Sequence, residues 1–214
     1  MNQTTTTIYL IRHSKTLPET GIRNTDETDQ IINEKEILSI EGEKLAAELS
    51  QNIELRNLDA VWCSSYARAK QTAKYIAYEN NLNLNIDSRL NERKLGNMDE
   101  IAEIMKDKDT RDVSKVQLKD QTLKTSDGES VADTNKRMTD FFNELLKNYK
   151  GKRVAVVSHG GSIKFFLLNY CSVNANVNLE YKGKELIITE PCLLKLTFDN
   201  MELIDLELIK KTYK

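Results

Sequence analysis

Two histidines, His13 and His159, occur in the chain, and each stands where an apolar run stops. Ile8-Tyr9-Leu10-Ile11-Arg12 leads into the first, and Val154-Ala155-Val156-Val157-Ser158 leads into the second. Arg68 and Glu92 follow two further strand-like runs, and Gly160-Gly161 follows His159. An imidazole near neutral pH serves as nucleophile or proton carrier. Arginine presents a planar fork that matches phosphate oxygens two at a time. The N–H groups of a helix start near Gly160 and Gly161 would add donors, and glycine lets the backbone come close. Two arginines and two imidazoles therefore describe a pocket for a dianion. A carboxyl group such as Glu92 would oppose that anion unless its task is proton transfer.

Taken singly, each feature has an ordinary reading. A histidine at a strand end is commonly structural, Arg68 could be a surface residue, Glu92 could be solvated, and His-Gly-Gly could be a turn. Their joint position carries the functional reading, because all would project from the same end of successive strands. Ligands in open α/β sheets bind at that carboxyl edge.

The elements that would place them read as follows. Ile8–Ile11, Ala60–Cys63, Leu84–Ile86 and Val154–Val157 are short strands, the last fully apolar and of the buried parallel kind. Ser39 is a plausible N-cap for a helix carrying Ile40, Leu45, Ala46 and Leu49. A helix from about Tyr66 to Glu79 has Arg68 in its first turn and a small-residue face of Ala69, Thr72, Ala73, Ile76 and Ala77. Gly128-Glu129-Ser130 opens a helix that Gly151 ends, and His159-Gly160-Gly161-Ser162 is expected as a tight turn before another. The polar segment from Leu17 to Leu38 reads as a loop over the site with a short helix around Ile31, Ile32 and Ile37. Residues from Met98 to Leu123 read as one or two short covering helices. Runs at Leu186–Ile188, Leu193–Phe198 and Met201–Leu208 close the chain as strands, with Asp199-Asn200 as a hairpin turn. Strands thus alternate with helices, which predicts one α/β domain: a three-layer α/β/α sandwich with a mostly parallel mixed sheet and an antiparallel edge.

Composition narrows the partners. The 214 residues suffice for one sizeable core. A net charge of −2 provides no global basic field for nucleic acid or anionic membrane. Cys63, Cys171 and Cys192 are too few and too scattered for a disulfide framework or a paired-cysteine metal site, and read as buried thiols. No apolar run reaches membrane-spanning length and the N-terminus has no signal-peptide pattern, so a cytoplasmic protein is expected.

The local patterns also resemble a known family. Ile11-Arg12-His13-Ser14-Lys15-Thr16 resembles the Arg-His-Gly-x-Thr signature of the histidine phosphatase (phosphoglycerate mutase-like) superfamily. Leu38-Ser39-x-x-Gly42 with Ala46 resembles its next segment, and Cys63-Ser64-Ser65-x-x-Arg68-Ala69-x-Gln71-Thr72-Ala73 its second motif. Leu90-x-Glu92 with Gly96 resembles the acid-bearing loop. Gly128-Glu129-Ser130 with Arg137, then Val157-Ser158-His159-Gly160-Gly161-Ser162-Ile163, complete the series in the family's order.

The resemblance implies a metal-independent phosphatase for a small phosphorylated metabolite, with no cofactor. His13 would attack phosphorus to give a phosphohistidine. Arg12, Arg68 and His159 would hold the phosphoryl oxygens, joined by Ser14, Thr16 and the backbone of Gly160. Glu92 would protonate the leaving oxygen and then activate water. His13 should be neutral, with its other ring nitrogen donating to a backbone carbonyl. Arg23 falls where relatives place a substrate-binding arginine. Ser14 replaces the usual glycine, so a positive φ there would force the loop to adjust, and Glu19 replaces an asparagine. The alternatives are a phosphoglycerate mutase-type transfer and a non-catalytic phospho-ligand-binding domain. The region 98–123 has basic residues but at least as many acids, which does not argue for a mutase.

Overall fold

A computed structural model describes residues 5–17 and 28–209. In chain order the first elements are β1 (Thr5–Arg12), α1 (Asp29–Lys35), α2 (Ile40–Ser50), β2 (Ala60–Cys63), α3 (Ala67–Glu79) and β3 (Leu84–Ile86). Then come α4 (Met98–Met105), α5 (Val113–Lys119), α6 (Val131–Asn148), β4 (Arg153–Ser158) and α7 (Gly160–Leu167). The chain continues through β5 (Ser172–Val173), β6 (Leu179–Tyr181), β7 (Lys184–Leu186), β8 (Cys192–Asp199) and β9 (Glu202–Ile209).

Six strands form the main sheet in the order β3-β2-β4-β1-β8-β9. β1, β2, β3 and β4 run parallel, and β8 is antiparallel to both β1 and β9. Successive residues of a strand face opposite sides, and both sides of this sheet are covered. Ile8, Leu10, Val154 and Val156 pack with α6 and α7 residues such as Phe142 and Phe166. Tyr9, Ile11, Ala155 and Val157 pack with α2 and α3 residues such as Leu49 and Ala73. That double covering is why the strands read as unbroken apolar runs. Each fully buried Leu, Ile, Val or Phe contributes roughly 1.5–3 kcal/mol. The fold is the expected α/β/α sandwich with a mostly parallel mixed sheet. Cys63 and Cys192 are buried and Cys171 is partly exposed, none of them in a disulfide, and burial pushes Cys63 up to about 12.

Local chemistry sets the helix starts. Ser39 Oγ accepts from the Gly42 N–H at 2.9 Å and caps α2. Gly42 packs so closely on the Lys15 carbonyl that a Cβ there would lie 1.9 Å from the oxygen. Ser130 and Asp133 cap α6 reciprocally. Gly151, with φ of 73°, turns the chain out of that helix toward β4.

The fold departs from the sequence reading in four places. Gly160 is already helical, so His159 is the N-cap of α7 and no separate turn intervenes. Glycine's turn preference yields here to strand β4 feeding directly into a packed helix. Ile40 is 79% exposed and does not join the buried stripe of α2. Residues 172–186 contain a second, three-stranded sheet, β5-β6-β7, of which the expected Leu186–Ile188 strand caught only Leu186; Ile187 and Ile188 lie outside any strand. The last hairpin turns at Asn200, whose φ is 54°, and Met201 rather than Asp199-Asn200. Two short helices, α4 and α5, do occupy the 98–123 region. Among the described residues no helix is long and apolar enough to cross a membrane.

Candidate active site

The parallel registers put the strand ends side by side. Arg12 pairs with Ser158, and Cys63 with Val157. The His13 N–H then donates to the Ser158 carbonyl at 3.0 Å, and the Ser64 N–H to Val157 at 3.0 Å. His13, Ser64 and His159 therefore leave the sheet together. The ring centroids of His13 and His159 are 5.1 Å apart.

His13 has a defined tautomer. Nδ1 lies 2.8 Å from the Ser14 carbonyl, which only accepts, so Nδ1 carries the proton. Nε2 keeps its lone pair and receives the Nε–H of Arg68 at 3.2 Å. Burial, then the charge of Arg68, lowers His13 to about 3, so the ring is neutral at pH 7. Ser14 has no positive φ, so a side chain fits there without strain. Its N–H donates to Thr72 Oγ1 at 3.0 Å, which locks the loop onto α3.

Arg68 is buried and held from the far side by α1. Its Nη1 donates to the Asn33 carbonyl and lies 3.3 Å from Glu36 Oε2. The Arg68 N–H also donates to the Glu36 carbonyl at 3.1 Å. Arg12 lies against Gly160, where a Cβ would come within 3.0 Å of its Cζ. It donates to the Ile188 carbonyl at 2.9 Å and pairs with the Glu190 carboxylate.

Asn91 ties the second histidine in. Asn91 Oδ1 accepts from the Ser65 N–H and from the Ser64 hydroxyl, both at 2.9 Å. With the Ser64 proton used there, Ser64 Oγ accepts from His159 Nε2 at 2.8 Å. His159 Nδ1 is then a bare, buried acceptor without a partner among the described residues. Burial, then neighbouring His13 and Arg68, holds His159 well below the ordinary histidine range.

Glu92 occupies the N-terminus of α7. Its carboxylate accepts from the N–H groups of Gly161 at 3.1 Å, Ser162 at 3.0 Å and Arg93 at 2.8 Å. Burial favours its protonated form, but the Arg93 charge and these N–H donors outweigh burial and hold it below the usual carboxylate range. The expectation that Gly161 offers a free N–H to a ligand is thus corrected: the helix terminus draws the nearest anion, and the loop supplies one. A Cβ on Gly161 would lie 2.7 Å from Glu92 Oε1, so this approach needs glycine. Arg137 fixes the loop, pairing with Glu129 at 2.7 Å and donating to the carbonyls of Arg89 at 2.7 Å and Asn91 at 2.9 Å.

The structure brings together Arg12, His13, Arg68, Glu92, His159 and Gly160. Thr16 contributes a backbone bridge to Leu38. Arg23 and Glu19 lie outside the described residues. Sequence reasoning gave no role to Ser64, Asn91, Arg93, Glu36 or Glu190. Ser64 stood inside a recognised motif and Asn91 and Arg93 beside Glu92, so proximity was a signal for three of them. A cleft of about 860 Å³ adjoins Arg12 and Glu190, but His13, Arg68, Glu92 and His159 do not line it. Among the described residues no group of three or more His, Cys, Asp or Glu could hold a metal ion.

Known proteins agree with this geometry at the level of the fold. The structure is similar to mycobacterial glucosyl-3-phosphoglycerate phosphatase, with a TM-score of 0.68, 21% identity, and coverage of 95% of this chain and 97% of that one. It is similar to Entamoeba histolytica phosphoserine phosphatase, with a TM-score of 0.61, 20% identity, and 94% and 96% coverage. The sequence is 23% identical over 180 residues to the probable phosphoglycerate mutase GpmB of Erwinia tasmaniensis, covering 79% of this chain and 76% of that protein. The family model of the histidine phosphatase superfamily (branch 1) matches residues 8–189, so the chain belongs to that superfamily.

Proposed function

We propose that the protein is a metal-independent phosphomonoesterase that hydrolyses a small phosphorylated metabolite through a phosphohistidine on His13. The observation that carries this reading is the His13 tautomer. Nδ1–H is bound to the Ser14 carbonyl, and the Nε2 lone pair accepts the Arg68 Nε–H, a bond that an arriving phosphoryl oxygen must take over before Nε2 can attack phosphorus. A neutral nucleophile whose attacking nitrogen carries no proton needs no separate base.

In the first step Nε2 attacks phosphorus and the ester P–O bond breaks. Arg12 and Arg68 stabilise charge on the equatorial oxygens. Buried Arg12 Nε, Ser14 Oγ and His159 Nδ1 have no hydrogen-bond partner among the described residues, which supports a site built around a ligand. A bond from His159 Nδ1 to a phosphoryl oxygen requires one more proton than the ligand-free site holds. The arriving negative charge favours its uptake.

Glu92, held as a carboxylate by its donors, suits the second half of the cycle, where it would take a proton from the water attacking the phosphohistidine. To serve as acid in the first half it must gain a proton as the phosphoryl dianion arrives, a like-charge effect that raises its pKa. Similarity to phosphatases supports hydrolysis over transfer. The mutase reading rests on the GpmB relative.

The test is phosphate release from a panel of phosphomonoesters, with EDTA and with 2,3-bisphosphoglycerate. Release should be insensitive to EDTA, and His13→Ala should abolish it. Rapid isomerisation of 3-phosphoglycerate with little release would favour the mutase; substantial turnover by His13→Ala would refute the phosphohistidine.

A further inference from the structure

Arg12 differs from Arg68 in where its acidic partner sits. Glu36 meets Arg68 behind the site, at the end of α1. Glu190 meets Arg12 on the wall of the cleft of about 860 Å³, and both side chains are partly exposed there, 24% for Arg12 and 30% for Glu190. The guanidinium is divided between two duties. Its terminal nitrogens donate to the Ile188 carbonyl and the Glu190 carboxylate, while Nε is buried beside Gly160 without a partner among the described residues. A phosphoryl oxygen can take Nε–H without displacing Glu190.

Glu190 then stays one guanidinium width from the phosphoryl group, on the wall of a space that an alcohol portion could enter. The other cation on that wall, Lys15, has its ammonium 2.6 Å from Glu41. Among the described residues that line the cleft, no unmatched cation would offset the Glu190 carboxylate for an anionic group that entered it. Like-charge juxtaposition is an effective means of rejecting one ligand among similar ones.

We infer that Glu190 is a specificity determinant: it admits phosphomonoesters of neutral or amine-bearing alcohols and rejects those whose alcohol carries a carboxylate or a second phosphate. This rests on the phosphatase reading above. The same carboxylate that holds Arg12 in place would attract an ammonium and repel an acid.

The experiment compares kcat/KM for phosphoethanolamine, 3-phosphoglycerate and p-nitrophenyl phosphate in the full chain and in Glu190→Gln. Inhibition constants against p-nitrophenyl phosphate replace kcat/KM where turnover is slow. The wild type should favour phosphoethanolamine over 3-phosphoglycerate, and Glu190→Gln should shrink that ratio by about tenfold, the effect of one nearby charge. An unchanged ratio overturns the proposal. So does an equal loss on all three substrates, which would make Glu190 only a support for Arg12. The p-nitrophenyl arm keeps the two readings separate, because its alcohol is uncharged. If the wild type releases no nitrophenol, the phosphatase reading itself fails.

Discussion

Arg68 Nε–H donates to His13 Nε2 across 3.2 Å, and both side chains are buried. The bond holds the lone pair of the proposed nucleophile beside the cation that would hold the phosphoryl oxygens, and attack on phosphorus requires Arg68 to pass its Nε–H from His13 to a phosphoryl oxygen. It also ties the charge state of the imidazole to the arginine.

Arg68→Ala should therefore do two things. It should cut kcat/KM by about 10²–10³, the usual loss on removing one transition-state donor. It should also raise the His13 pKa from about 3 toward its ordinary value, because the Arg68 charge is one of the causes of the depression. The acid limb of the pH–rate profile would then move upward. A profile that falls in height without moving would contradict the coupling.

Stability should depend on pH through both histidines. A depressed histidine contributes stability that is present above about pH 6.5, where it is neutral folded and unfolded, and lost as pH falls toward its folded pKa. His13 titrates in the fold at about 3 and His159 well below its ordinary range. Between pH 6.5 and 5 His13 should cost about 2 kcal/mol at 1.36 kcal/mol per pH unit, and His159 acts in the same direction. Carboxylates with lowered values act mainly at lower pH. Denaturant unfolding at the two pH values measures the loss, and His159→Gln should reduce it.

Glu92→Gln places an amide where both carboxylate oxygens accept N–H donors. One N–H of α7 would then face another donor, costing about 1–3 kcal/mol in thermal or denaturant unfolding. Turnover should fall by roughly 10²–10⁴ for lack of the acid–base group. With p-nitrophenyl phosphate, whose leaving group needs no proton, the first step should survive. Stopped-flow traces should show a burst of nitrophenol equal to the enzyme concentration. A slow trace without a burst would assign Glu92 to the first step alone.

Gly42→Ala tests the seat of the loop after β1. The new methyl carbon would lie 1.9 Å from the Lys15 carbonyl, so α2 must shift. A loss of about 1–3 kcal/mol is expected. Activity should fall with it, because the same loop carries Ser14, the acceptor for His13.

The centre of the sheet was legible because strands covered on both faces leave continuous apolar runs, and β1 and β4 lead directly into His13 and His159. Ser39, Ser130 and Gly151 were legible as caps because capping needs particular side chains at fixed offsets. Glu92 was legible by position, but its grip on α7 was not. A polar loop gives no sign of which helix start it will meet 69 residues later. Glu190 left no signal either, since a carboxylate beside a proline becomes meaningful only when β8 returns alongside β1. The small sheet at 172–186, Leu186 apart, escaped notice because its strands are too short for alternation to register.

β1 has a further consequence. It is hydrogen-bonded along both flanks, to β4 from Thr7 to Arg12 and to β8 from Thr5 to Arg12. Its amides should exchange with solvent only when the whole domain opens. The proposed nucleophile thus has a fixed reference frame, while residues 187–191, which supply Glu190, lie outside any strand. Evolution can rewrite that segment, and with it the proposed selectivity at Glu190, without moving His13.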